Sequence, residues 1–207
     1  MNALLQKSLS SIASAAFACA LVGTALGQSA KVEGGKPSFD DLQSPEFSGG
    51  KQKRFKPKDW LEIETDLKVM LSPEPNSKTL DRLLIKWYVA VENPERKSTM
   101  LLLTKDVEHV NIPLGEEVYS SIYISPAAMR ALTGGIGGGK RVVKYVGYEV
   151  LVNGEKVAAE TSKGSAGWWS KPSAKISRSE AVPILDKTET PFANMWWDRY
   201  LEVGKKR

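Results

Sequence analysis

The chain has little of what most site chemistry needs. It holds one cysteine, Cys19, and one histidine, His109, in 207 residues. A single cysteine excludes an internal disulfide framework. A single histidine makes no zinc site of the usual multi-ligand kind without acidic help. Neither charge sign dominates, since 29 basic and 24 acidic residues leave a net of only +5. The one serine inside a small glycine cluster, Ser165 in Gly164-Ser165-Ala166-Gly167, does not fit G-x-S-x-G. That motif also needs a strand-to-helix turn which this stretch lacks.

Against these absences stands a distinctive start. Met1 to Lys7 carries one positive charge, and Leu9 to Gly27 is uncharged and apolar. Ala25 and Gly27 place small residues at the −3 and −1 positions of a cut before Gln28. This is the pattern of a secretory signal peptide, residues 1–27. An exported protein of the periplasm, outer surface or medium is expected, with no integral membrane span after cleavage. The alternative is an uncleaved anchor, since Leu9 to Gly27 approaches the roughly 20 residues that span a bilayer. Its Ala, Ser and Gly content argues for cleavage. Cys19 lacks the usual Leu at −3, which argues against lipidation. Loss of Lys7 with the leader takes the net charge from +5 to +4. Removal of Cys19 leaves no cysteine, which fits a bacterial envelope.

Residues 28–57 read as a flexible basic tail, punctuated by Gly34-Gly35, Pro37, Pro45, Gly49-Gly50 and Pro57. Such a segment buries too little to fold alone. Its aromatics suit docking onto its own domain or a partner. From residue 58 to 207 one domain is expected. Leu61, Ile63, Thr65, Leu67, Val69 and Leu71 alternate with Glu62, Glu64, Asp66 and Lys68, a half-buried strand. Leu83, Ile85, Trp87, Val89 and Val91 repeat the pattern. Thr99 to Thr104 and Val107 to Ile112 read as two short strands or one bent strand. Val118, Ser120, Ile122 and Ile124 line another. Ser125-Pro126 opens a short helix to Leu132 as cap and first residue. Asn153-Gly154 joins Arg141–Val152 to Glu155–Thr161 as a hairpin. About seven short strands predict a mainly β sandwich. Thr190-Pro191 predicts a C-terminal helix over Phe192 to Val203, stopped by Gly204.

Candidate chemistry is thin. Gly134 to Lys140 matches G-x-x-x-x-G-K, but Arg141 stands where Ser or Thr would ligate magnesium. The loop also follows a helix and precedes a strand, the reverse of a phosphate loop, so a connection is expected. His109, near Glu108 and Asp106, has the residue type of a general base, yet reads more simply as a strand-edge residue. Glu62, Glu64 and Asp66 look like a solvated strand face. No catalytic signature emerges, and a non-enzymatic chain with no cofactor and no metal site is expected.

The aromatics are more informative. Trp168-Trp169 and Trp196-Trp197 are adjacent pairs whose members cannot both face inward. Phe192, Trp196 and Tyr200, spaced by four, would form the buried stripe of the final helix. Trp197 and one of Trp168 and Trp169 then remain for the surface, where aromatics serve protein partners or sugar stacking. Lys51 to Lys58 is a basic run with Phe55 inside. Export directs it to an anionic surface, an acidic glycan or an acidic partner rather than to nucleic acid. Lys53, Arg54, Phe55 and Lys56, with Trp168, Trp169 and Trp197, are the candidate partner-binding residues.

Two segments carry a resemblance. Lys53-Arg54-Phe55-Lys56-Pro57-Lys58-Asp59-Trp60-Leu61 with its following strand is one. Glu189-Thr190-Pro191-Phe192 leading to Trp196-Trp197-Asp198-Arg199-Tyr200 is the other. They resemble the Akkermansia-type family of secreted pilus-like proteins of Verrucomicrobia. The resemblance implies an immunoglobulin-like β-sandwich related to archaeal pilus subunits, encoded near type IV pilus-assembly genes. It implies no catalytic or binding residues. True pilins keep a long hydrophobic helix on the mature subunit, which a conventional cut here would remove. The combined expectation is an interaction or structural protein of a type IV pilus-like system. Its partners would be envelope or pilus-assembly proteins, and the alternative is a carbohydrate-binding module that uses exposed tryptophans.

Overall fold

The computed structural model describes residues 28–46, 55–135 and 139–205. The leader, Cys19, Lys53 and Arg54 lie outside the described residues. The strands are β1 (Ser29–Gly34), β2 (Ser38–Gln43), β3 (Asp59–Ser72), β4 (Thr79–Glu92), β5 (Met100–Pro113) and β6 (Glu117–Ile124). Helix α1 (Pro126–Thr133) follows, then β7 (Val143–Val152), β8 (Glu155–Thr161), β9 (Ile176–Arg178), β10 (Ile184–Asp186) and β11 (Glu202–Val203).

Two sheets form a sandwich. The first is ordered β1-β3-β6-β10, with β2 beside β1 on the same edge of β3. The second is ordered β11-β5-β4-β7-β8, with β9 parallel to the start of β5. The alternations in the sequence become the inner faces. Leu61, Ile63, Leu67 and Val69 on β3 meet Leu83, Ile85, Trp87, Val89 and Val91 on β4, all buried. The Trp87 and Tyr148 rings pack at 5.3 Å in the centre of the sandwich. Val107 to Ile112 and the stretch before it are one strand, β5, paired with β4 along nearly its whole length.

Two short-range signals form as expected. Ser125 caps α1 by accepting a hydrogen bond from the Ala128 amide at 3.3 Å. Asn153 and Gly154 both take positive φ, 52° and 81°, as a two-residue hairpin turn requires.

Two expectations need correction. Residues 29–34 and 38–43, read as a flexible tail, are strands hydrogen-bonded to β3. They have too few apolar residues to fold alone, but an existing strand edge supplies the missing partners. Val32 is buried and Phe39 packs against the core.

The C-terminal helix does not form. Thr190 does accept the Phe192 amide at 3.2 Å, as a helix cap would. The chain continues as turns, with bonds from Ala193 N to Thr190 O, Met195 N to Phe192 O and Arg199 N to Trp196 O. Trp196 sits at φ 52°, a left-handed conformation that interrupts any helix. The anchors explain why. Phe192 packs between Trp60 and Tyr123 at 5.7 and 5.2 Å, while Tyr200 bridges to Tyr119 through the backbone and β11 joins the other sheet. A regular helix cannot offer free backbone groups to two sheet edges. The segment is a strap that crosses the first sheet and closes one side of the sandwich.

Candidate interaction surface

The strap turns the outer face of β3 and β6 into a polar cluster. Glu62 and Glu64, read from sequence as solvated, lie half-buried beneath it. The Tyr123 hydroxyl donates to Glu62 Oε1 at 2.7 Å and the Tyr200 hydroxyl to Glu64 Oε2 at 2.7 Å. Arg199 donates to both Glu64 oxygens at 3.1 and 3.3 Å and lies 3.8 Å over the Tyr119 ring. Lys187 is bonded to the Met195 carbonyl and sits 4.5 Å over the Tyr200 ring.

Burial raises the Glu62 carboxyl above its ordinary range, partly offset by the Tyr123 hydrogen bond. Burial also lowers the Lys187 ammonium, against the pull of Glu62. Burial, together with hydrogen bonding and the two carboxylates, raises the Tyr200 phenol. Every polar group here has a protein partner, so the cluster fastens the strap to the sheet.

What the strap exposes is aromatic. Trp197 is 62% exposed and Trp196 47%. A bulky residue at positive φ is an outlier held by its surroundings. The bonds that flank Trp196 fix it, and both indoles are thereby turned outward. Trp196, expected from its spacing in a buried stripe, is instead a surface residue. The positive φ has no side-chain signature that would have announced it.

The candidate residues do not form one surface. Phe55 is 43% exposed and Lys56 is exposed, both just before β3. Trp169 is buried and stacks on Tyr88 at 4.7 Å, on the outer face of the second sheet. Gly147 makes room for it, because a Cβ there would stand 2.2 Å from the Trp169 ring. Trp168 is half-buried, and its Nε1 donates to Thr161 Oγ1 at 3.0 Å. The pair Trp168-Trp169 therefore covers one outer face, while Trp196-Trp197 stands on the opposite one. Trp169 is corrected from a candidate contact to a packing residue.

His109 is also corrected. It is 1% exposed and faces the interior rather than an edge. Its Nδ1 donates to the Glu202 carbonyl at 3.2 Å, which leaves Nε2 to accept from the Ser120 hydroxyl at 2.9 Å. Burial pushes the imidazole down to about 4, so it is neutral at pH 7. His109 thus ties β5, β6 and β11 together.

The described end of the glycine stretch, Gly139-Lys140, has an internal partner. The amides of Gly139 and Lys140 both donate to Asp41 Oδ1, at 2.6 and 3.1 Å, and Lys140 pairs with Asp40 at 2.8 Å. Residues 136–138 lie outside the described residues. Among the described residues no three His, Cys, Asp or Glu gather as metal ligands, and no helix is long and apolar enough to cross a membrane.

Comparison with known proteins places this architecture. A protein-family model matches residues 23–207. A crystal structure from Akkermansia muciniphila superposes with a TM-score of 0.81 at 37% identity, covering 87% of this chain and 96% of that one. No curated protein matches. With the family model spanning both tryptophan pairs and the strap, the chain belongs to the Akkermansia-type pilus-like protein family of Verrucomicrobia that its two sequence segments resemble.

Proposed function

We propose that this chain is an exported, non-enzymatic interaction or structural component of a type IV pilus-like system in the cell envelope. Membership of the pilus-like family carries this reading. The site supports it in kind, because Trp196 and Trp197 are held outward on a strap whose own polar groups are internally satisfied. Adjacent exposed aromatics on a fixed backbone are the anchors that protein interfaces favour. The partner would be another envelope or pilus-assembly protein. Shearing of surface filaments from the native bacterium, followed by mass spectrometry, tests the assignment. Enrichment of this chain with filament or assembly components supports it. Recovery only in a fraction free of such components counts against it.

A second reading has its own observation. The exposed Trp197 indole, beside a cavity of about 120 Å³ formed with Tyr200 and Thr188, suits stacking against a neutral sugar ring. Saturable quenching of tryptophan fluorescence by glycans, lost in Trp197→Ala, would favour that reading over a protein contact.

A further inference from the structure

A separate cavity lies where β4 turns into β5. It has a volume of about 590 Å³, within the range of about 300–1,000 Å³ typical of small-ligand sites. Its walls come from the 93–99 turn, the end of α1, the start of β7 and the loop after β8. Three lysines line it, Lys97, Lys144 and Lys163, against one carboxylate, Glu92. Glu92 is already committed to Lys144 at 2.6 Å. Among the described residues, Lys97 and Lys163 have no carboxylate partner.

The cavity is also prearranged. Asn93 accepts the Glu95 amide at 3.0 Å, and its own amide bonds to the Thr99 carbonyl at 3.0 Å. Thr99 reaches back to the Arg96 carbonyl through its amide at 3.2 Å and its hydroxyl at 2.8 Å. Ser98 is held at φ 66°, a left-handed conformation uncommon for serine. These bonds fix the turn that carries Lys97. Tyr145 also lines the cavity, and its half-buried ring packs against Trp168 at 5.5 Å. An aromatic ring, two ammonium groups without a carboxylate partner, a serine and a threonine that line one cavity are complementary to a ring that bears hydroxyls and one anionic group.

We propose that this cavity binds an acidic saccharide of one or two rings. The sugar ring lies against Tyr145 and its carboxylate or sulfate lies between Lys97 and Lys163. Lysine serves such an anion as a point charge. The proposal is independent of the pilus reading and uses none of the strap residues.

Calorimetric titration of residues 28–207 with glucuronate, glucose 6-sulfate, glucose and inorganic sulfate tests it. The two acidic sugars are expected to bind saturably and more weakly as salt rises. Whichever binds more tightly identifies the anion. Glucose is expected to bind at least about tenfold more weakly, a difference of about 1.4 kcal/mol. Lys97→Ala with Lys163→Ala should weaken the acidic sugars by about tenfold or more, with an unchanged melting temperature because both lysines are exposed. Tyr145→Leu should weaken the sugars and leave inorganic sulfate unaffected, and Trp197→Ala should change nothing. Glucose binding as tightly as glucuronate would overturn the proposal. So would inorganic sulfate matching glucose 6-sulfate, or a double lysine variant within about twofold of the parent.

Discussion

The Tyr148 hydroxyl donates to the Gly35 carbonyl at 2.8 Å, and Thr65 donates to the same carbonyl at 2.9 Å. Tyr148 belongs to the second sheet and Thr65 to the first, so this carbonyl joins both to the link between β1 and β2. A segment that reads as tail is therefore fastened at its midpoint from inside the sandwich. Tyr148→Phe keeps the ring packing on Trp87 and removes one of the two donors. The expected cost is about 1 kcal/mol in denaturant unfolding. Faster amide exchange is expected in residues 29–34, while β4 stays protected.

His109 gives the fold a pH dependence with a definite sign. Its pKa falls from 6.5 unfolded to about 4 folded, mainly through burial. Between those values the unfolded chain binds the proton that the folded chain refuses, so stability falls as pH falls from 6.5 to about 4. The slope from this group is at most about 1.4 kcal/mol per pH unit. His109→Gln should flatten the stability curve across this window and leave behaviour above pH 7 parallel to that of the parent.

Glu62 acts in the opposite sense. Its folded pKa is raised, chiefly by burial, so the folded chain holds its proton more tightly and stability declines as pH rises through the carboxylate range. Glu62→Gln keeps an oxygen for Tyr123 and removes the half-buried charge. The variant should be as stable as the parent at pH 7 or more stable, and should lose this decline. A stability profile from pH 4 to pH 8 checks it.

The two tryptophan pairs should respond differently. Trp169→Ala empties the space over Gly147 and loses the Tyr88 stack, at an expected cost of about 3–5 kcal/mol. Trp169→Phe should be much milder, since the buried Nε1 has no partner among the described residues. Trp197→Ala should change stability by less than about 0.5 kcal/mol. Thermal unfolding of the three variants distinguishes a packing residue from a surface one.

These differences mark how far the sequence speaks. Period-two alternation found β3, β4 and β6 and their inner faces, because β3 and β4 each have one buried and one more exposed face. The outer face of β6 is polar in sequence, although Ser121 and Tyr123 are buried there and Phe192 stacks on Tyr123. Ser125-Pro126 and Asn153-Gly154 announced a helix start and a hairpin through local chemistry alone. Strands β1 and β2 were hidden because their stability comes from the edge of β3, which no local pattern reports. The strap was misread because Phe192, Trp196 and Tyr200 have helical spacing but answer to different tertiary partners. The burial of Trp169 depended on Gly147, 22 residues earlier, and nothing near either residue shows that they meet.

The proposed role requires the outward tryptophans of the strap to contact a component of a pilus-like system. The direct measurement places a photo-crosslinking amino acid at position 197 in the native bacterium, with position 163 as a control on a different surface. Adducts with filament or assembly proteins formed from position 197 and not from 163 are the predicted result. No protein adduct from position 197, or the same adducts from both positions, would rule out that contact.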